Sequence, residues 1–220
     1  GHITFKGGLN TYQPLGVTAK AGETVTVYVG SPAHKTGDGT RLRLIQTQYH
    51  GTSEKWHKEL GVLKAGANDF TLEALDAMDL ERGGQLYVVY TGKAGQEQYG
   101  VRVSGGTKIP VLDLSDTKDP AERLKLAEAY VNGLEAMVRD MEALHNRDHQ
   151  DHAYDEMNCI YGATDIVSRY TMISGPSDQI LEGLAGNTAA EKAAALEQSM
   201  TAMDQMVELF YAHKGLSTAS

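Results

Sequence analysis

The chain has one cysteine, Cys159, and therefore no intrachain disulfide and no thiolate metal cluster. Cys159 sits in the apolar pattern NCIYGATDIV, which reads as a small core residue rather than a catalytic thiol. No apolar run approaches the ~20 residues that a membrane helix needs. No cleavable leader pattern opens the sequence, and Gly1-His2 reads as an expression remnant that removes any information on native location. GxGxxG, P-loop, GxSxG and HExxH patterns are all missing. Basic residues are the minority: the net charge is -9, which disfavours a nucleic-acid partner.

What is present divides into two unlike halves. Residues 1–115 are nearly neutral, at +1, whereas residues 116–220 carry -10. The first half alternates. In ETVTVYV, Val25, Val27 and Val29 share one strand face and Thr24, Thr26 and Tyr28 the other. Further strands are expected over Tyr12–Ala19, Arg41–Tyr49, Asp69–Leu72, Gln85–Tyr90, Tyr99–Val103 and Ile109–Leu112. Short strands between glycine-rich turns, with no helix pattern among them, predict an antiparallel β-sandwich over 1–115.

The second half switches to helical period. Asp119-Pro120-Ala121-Glu122 reads as a helix start, and Leu124, Ala127, Val131, Leu134, Val138, Met141 and His145 form one stripe behind it. Gly133 interrupts that stripe and reads as a point of close packing. A second helix is expected over Cys159–Met172, a short one over Asp178–Leu184, and a last one from a capping box at Thr188 to Lys214-Gly215. In that last helix Leu196, Met200, Met203, Val207 and Phe210 are expected to face inward as ordinary core. The predicted class is therefore α+β: a β-sandwich domain, 1–115, followed by a helical subdomain of about four helices, 116–220.

Two stretches invite a functional reading. LHNRDHQDHAYDEMN places His145, His149 and His152 at i, i+4 and i+7, a spacing that can chelate zinc on a continuous helix. Asn146 follows His145 and Gln150 follows His149, where a zinc peptidase needs its glutamate base. The stretch reads as a solvated connection, with adventitious metal binding as the alternative, and no metal site is assigned. Trp56, in HGTSEKWHKEL, is the one residue offered for substrate binding. An indole on a sandwich loop can stack on a sugar ring, and the competing reading is a half-buried structural tryptophan.

The order of LGVTAKAGETVTVYVG, TRLRLIQTQYHG, LERGGQLYVVYTG and YGVRVSGGTKIPVLDL resembles the enhancin-like zinc metallopeptidases of mucin-degrading bacteria. NCIYGATDIVSRYTMISGPSDQILEGL and MDQMVELFYAHKGL extend the likeness to roughly residues 11–215. The family's HExxH and its later glutamate ligand would lie C-terminal to such a segment, so none of its catalytic residues is carried over. The resemblance implies a non-catalytic N-terminal segment of a secreted or cell-surface peptidase that cleaves mucin-type O-glycoproteins. The segment would serve as scaffold and part of the cleft, with the C-terminal catalytic part of the same protein and mucin-like glycoproteins as partners. Zinc is implied for the parent enzyme and no cofactor for this segment. The alternative is a carbohydrate-binding β-sandwich module without enzymatic activity. Sugar binding no tighter than millimolar is expected on the first reading, and saturable micromolar binding on the second.

Overall fold

The computed structural model describes residues 2–4, 12–30, 42–47, 57–73, 84–90, 98–148 and 162–216. Among them the strands are β1 (His2–Thr4), β2 (Tyr12–Ala19), β3 (Thr24–Gly30), β4 (Leu42–Thr47), β5 (His57–Val62) and β6 (Gly66–Thr71). They continue with β7 (Gly84–Tyr90), β8 (Gln98–Ser104), β9 (Thr107–Lys108) and β10 (Val111–Asp113). Then come α1 (Pro120–Asp148), β11 (Ala163–Val167), β12 (Met172–Pro176), α2 (Ser177–Gly183) and α3 (Ala189–His213).

The alternation read in ETVTVYV is the basis of the sandwich. Val25, Val27 and Val29 on β3 are buried against Leu42 and Leu44 of β4 and Leu86 and Val88 of β7. This core lies between a four-stranded sheet, ordered β1-β8-β3-β6, and a five-stranded sheet, ordered β5-β4-β7-β2-β9. Every pairing within the two sheets is antiparallel. Gly105 and Gly106 carry the chain from one sheet to the other with φ of +88° and +70°. A Cβ on Gly105 would lie 2.8 Å from the Thr24 carbonyl oxygen, and one on Gly106 2.6 Å from a Val17 methyl. Both the dihedrals and the space demand glycine there.

The second half is not purely helical. Ala163–Val167, expected within a helix over Cys159–Met172, is strand β11, and Met172 opens strand β12; Cys159 itself lies outside the described residues. All five residues of β11 are buried, so no alternation marks it as a strand. Its apolar positions fit a helical spacing by coincidence, while Thr164, Ile166 and Val167 are β-branched and stiff. β11 pairs in parallel with β10 and antiparallel with β12, so Val111–Asp113 completes a sheet otherwise drawn from the second half. The helices number three among the described residues, not about four. β5, His57–Val62, is not among the strands expected from the sequence.

α1 and α3 pack on this small sheet. Ala127, Val131 and Leu134 of α1 meet Ala193, Leu196 and Met200 of α3 over Leu112, Leu114 and Ile166. Asp119 Oδ1 accepts from Ala121 N–H at 3.2 Å at the start of α1. Thr188 and Glu191 form the expected reciprocal capping box at the start of α3. Arg123 locks the two helices to the chain crossover: its Nε donates to Glu197 at 2.7 Å, and its Nη1 donates to the carbonyls of Leu114 and Thr117 at 3.2 Å each. The inner stripe of α3 ends early. Met203 is partly buried, but Met206 is 67% and Phe210 58% exposed, which corrects the expectation that Phe210 faces the core.

Candidate functional site

Among the described residues, three places in this fold present chemistry. The first is the outer face of the four-stranded sheet. Because Val25, Val27 and Val29 point inward, Thr24, Thr26 and Tyr28 must point out. Register sets Thr24 against Thr71, Thr26 against Asp69 and Ser104, and Tyr28 against Ala67 and Arg102. The Thr24 and Thr71 hydroxyls lie 3.1 Å apart, and Thr26 donates to Asp69 Oδ1 at 2.6 Å. The Arg102 guanidinium carbon sits 4.7 Å from the Tyr28 ring centroid, a cation–π contact worth about 0.5–1 kcal/mol at an exposed position. The next cross-strand pair on this face is Gly30 with Gly100, and β1 pairs His2 with Gly100 beyond it. A Cβ at Gly30 would meet nothing within 4 Å. On this face β3, β6 and β8 together place the Tyr28 ring, the Arg102 guanidinium, the Asp69 carboxylate and the hydroxyls of Thr24, Thr26, Thr71 and Ser104. Its ordinary role is solubility and strand pairing; its chemistry also matches a polar ligand rich in hydroxyl groups.

The second place is a buried seam between the five-stranded sheet and the β10-β11-β12 sheet. Tyr87 on β7 donates to Asp165 Oδ1 on β11 at 2.7 Å, and Ser174 on β12 donates to the same oxygen at 2.6 Å. Tyr12 meets the Tyr87 ring edge-on at 5.9 Å between centroids. Asp165 is 1% exposed. Burial raises its pKa above the usual carboxylate range, opposed by the hydrogen bonds from Ser174 and Tyr87. Burial, reinforced by the Asp165 charge, raises the Tyr87 phenol as well. Alongside, the Tyr130 and Thr164 hydroxyls are 2.9 Å apart, and Thr164 donates to the Pro110 carbonyl at 2.8 Å. Gln85, 2% exposed on the same face of β7, has no hydrogen-bond partner for either amide atom. The seam joins the two halves of the chain.

The third place is a groove of about 520 Å³ between α1 and the extended run Thr107–Asp113. Ile109, Pro110, Met137 and Leu144 give it apolar walls, and Lys108 and Asp113 stand at its rim. Gly133 lines it too. A Cβ there would meet the Pro110 ring at 3.9 Å, an ordinary contact, so this glycine is not required by close packing.

The sequence-derived candidates fall elsewhere. Trp56 lies outside the described residues, as do His149 and His152; His145 is in the last turns of α1. Among the described residues no three His, Cys, Asp or Glu side chains converge to hold a metal ion. Among those residues, no helix is long and apolar enough to cross a membrane.

No protein-family profile and no curated protein matches this chain. Solved structures do. A conserved protein of unknown function from Bacillus anthracis superposes with a TM-score of 0.57 at 16% identity, over 98% of this chain and 34% of that one. The M60 catalytic domain of ZmpC from Clostridium perfringens, solved in complex with the sialyl T antigen, gives 0.55 at 19% identity over 81% and 30%. A Clostridium perfringens ZmpB structure holding the CBM32-1, CBM32-2 and M60 catalytic domains gives 0.55 at 22% identity over 81% and 16%. The shared fold is what these values establish, and this chain spans about a third or less of each matched chain's length.

Proposed function

We propose that the chain is a non-catalytic, glycan-binding module of a secreted or cell-surface protein directed at mucin-type O-glycoproteins. The observation that carries the reading is the outer face of the four-stranded sheet. There Tyr28 offers a ring beside the Gly30–Gly100 pair, and Arg102, Asp69 and Thr26 supply donors and acceptors around it. Sugars are recognised by such combinations, with C–H groups against an aromatic face and hydroxyls on a few polar side chains. The fold likeness to structures that contain M60 catalytic domains, one of them bound to sialyl T antigen, supports the glycoprotein context. In this reading residues 1–115 supply the binding sandwich, residues 116–220 supply the three helices together with strands β11 and β12, and Trp56 adds a second aromatic platform. The protein to which the module belongs is an enhancin-like zinc metallopeptidase; the zinc chemistry belongs to that parent and not to this segment.

A second reading is a scaffold and cleft wall for a C-terminal catalytic part. It is favoured by the end of α3, where Met206, Leu209 and Phe210 are 67%, 70% and 58% exposed among the described residues. Affinity electrophoresis separates the two readings. A glycan-binding module is retarded in a gel containing intact mucin and migrates freely when the mucin has been stripped of O-glycans. Equal mobility in both gels contradicts glycan binding and leaves the scaffold reading.

A further inference from the structure

We propose that the outer face of the four-stranded sheet takes a sugar bearing an anionic group, a carboxylate or a sulfate ester, with that group on Arg102. The inference rests on the glycan-binding reading above and adds the charge and the orientation of the ligand. It begins from a difference among the arginines. Among the described residues, Arg43 holds Glu59 at 2.9 Å and Arg123 holds Glu197 at 2.7 Å. Arg139 lies 3.6 Å from Asp140, and Arg169 lies 3.1 Å from Glu208. Arg102 is exposed and pairs with no carboxylate among them; its guanidinium sits over the Tyr28 ring instead. The chain has 29 acidic and 20 basic residues, so composition does not explain an arginine without a carboxylate. Its place in the sheet does: register sets it beside Tyr28.

That placement leaves its hydrogen-bonding capacity for a ligand. A guanidinium carries five N–H donors in a planar fork. The ring attracts the charge without consuming these donors as a carboxylate would. The fork matches two oxygens of a carboxylate or a sulfate in parallel. The contact with the ring also restrains a long side chain before any ligand arrives, which lowers the entropic cost of binding.

The neighbouring strands set an orientation. Arg102 on β8 and Asp69 on β6 flank β3 from opposite sides. Two strand spacings, about 10 Å, separate them. Asp69 accepts from Thr26 at 2.6 Å, which holds its carboxylate on the β6 side. An anionic group is repelled there and attracted on the β8 side. The ligand therefore lies with its charge toward β8, its uncharged hydroxyls toward Asp69 and its C–H groups against Tyr28. Residues 1–115 sum to only +1, so no broad positive field draws anions to the sandwich. The preference is local to one side chain, and one substitution reads it.

The test is calorimetric titration of the full chain with three ligands. They are the galactose–N-acetylgalactosamine disaccharide, its form with a carboxylate at galactose C6, and its form with a sulfate ester at the same position. At about 20 mM salt at least one anionic form should bind about fivefold more tightly than the neutral one, and at about 500 mM the gain should fall below about twofold. The form that gains identifies the group. In Arg102→Gln the neutral and anionic forms should bind alike. The salt series carries the test alone if that variant does not fold. Neutral binding with no gain for either anionic form overturns the inference and leaves the glycan-binding reading standing. A gain that persists in Arg102→Gln, or at high salt, also overturns it. Absence of binding by all three ligands overturns both.

Discussion

Tyr87 and Asp165 meet at 2.7 Å across the seam between the five-stranded sheet and the β10-β11-β12 sheet, the phenol donating to a carboxylate that is 1% exposed. Asp165 carries its raised pKa because burial disfavours its charge. Between the unfolded value, about 3.9, and the higher folded value, the native state holds the proton more tightly than the unfolded chain. The contribution of Asp165 to stability is thus most favourable below the unfolded pKa and declines as pH rises through the folded one. Asp165→Asn keeps an acceptor for Tyr87 and Ser174 and removes the titration. Urea unfolding should show the variant gaining on the parent between pH 4.5 and pH 7.5. A variant that loses ground over that interval contradicts the assignment.

Arg123 links α1, α3 and the chain before α1 through one guanidinium that is 11% exposed, against Glu197 at 21%. Arg123→Ala strands a partly buried carboxylate and deprives two carbonyls of their donor. A loss of roughly 3 kcal/mol is expected, readable as a lower urea midpoint at unchanged slope. A loss under 0.5 kcal/mol would mean that the network is no more than a surface pair.

Gly133→Ala should stabilise. Glycine costs about 1 kcal/mol relative to alanine inside a helix, and the added methyl would meet Pro110 at 3.9 Å without displacing it. Thermal melting should shift upward by up to ~2–4 °C for a chain of this size. A downward shift would restore the reading of this glycine as a close-packing point.

The sandwich was legible wherever one sheet face is buried and the other wet, because only then does period two appear in the sequence. Val25, Val27 and Val29 read correctly for that reason, and so did the outward placement of Tyr28. The partnership of Tyr28 with Arg102 was not legible, since it depends on β8 pairing beside β3, a register set by tertiary packing. β11 was misread because full burial on both faces leaves a strand with no alternation. The seam went unseen for a related reason: Tyr87 sits in an apolar strand and Asp165 in ATDIV, 78 residues apart, and neither segment alone hints at the other. The caps at Asp119 and Thr188 read well because capping is local chemistry. Phe210 was assigned to the core because helical spacing marks a face without saying whether anything covers it.

The most direct test of the account is a calorimetric titration of the chain with the galactose–N-acetylgalactosamine disaccharide, repeated with Tyr28→Ala. Glycan binding at the outer face of the four-stranded sheet predicts a saturable isotherm in the micromolar range. It also predicts at least a tenfold loss of affinity in the variant, with its melting temperature within about 2 °C of the parent. No saturable heat up to millimolar sugar, or an affinity that Tyr28→Ala leaves unchanged, would contradict it.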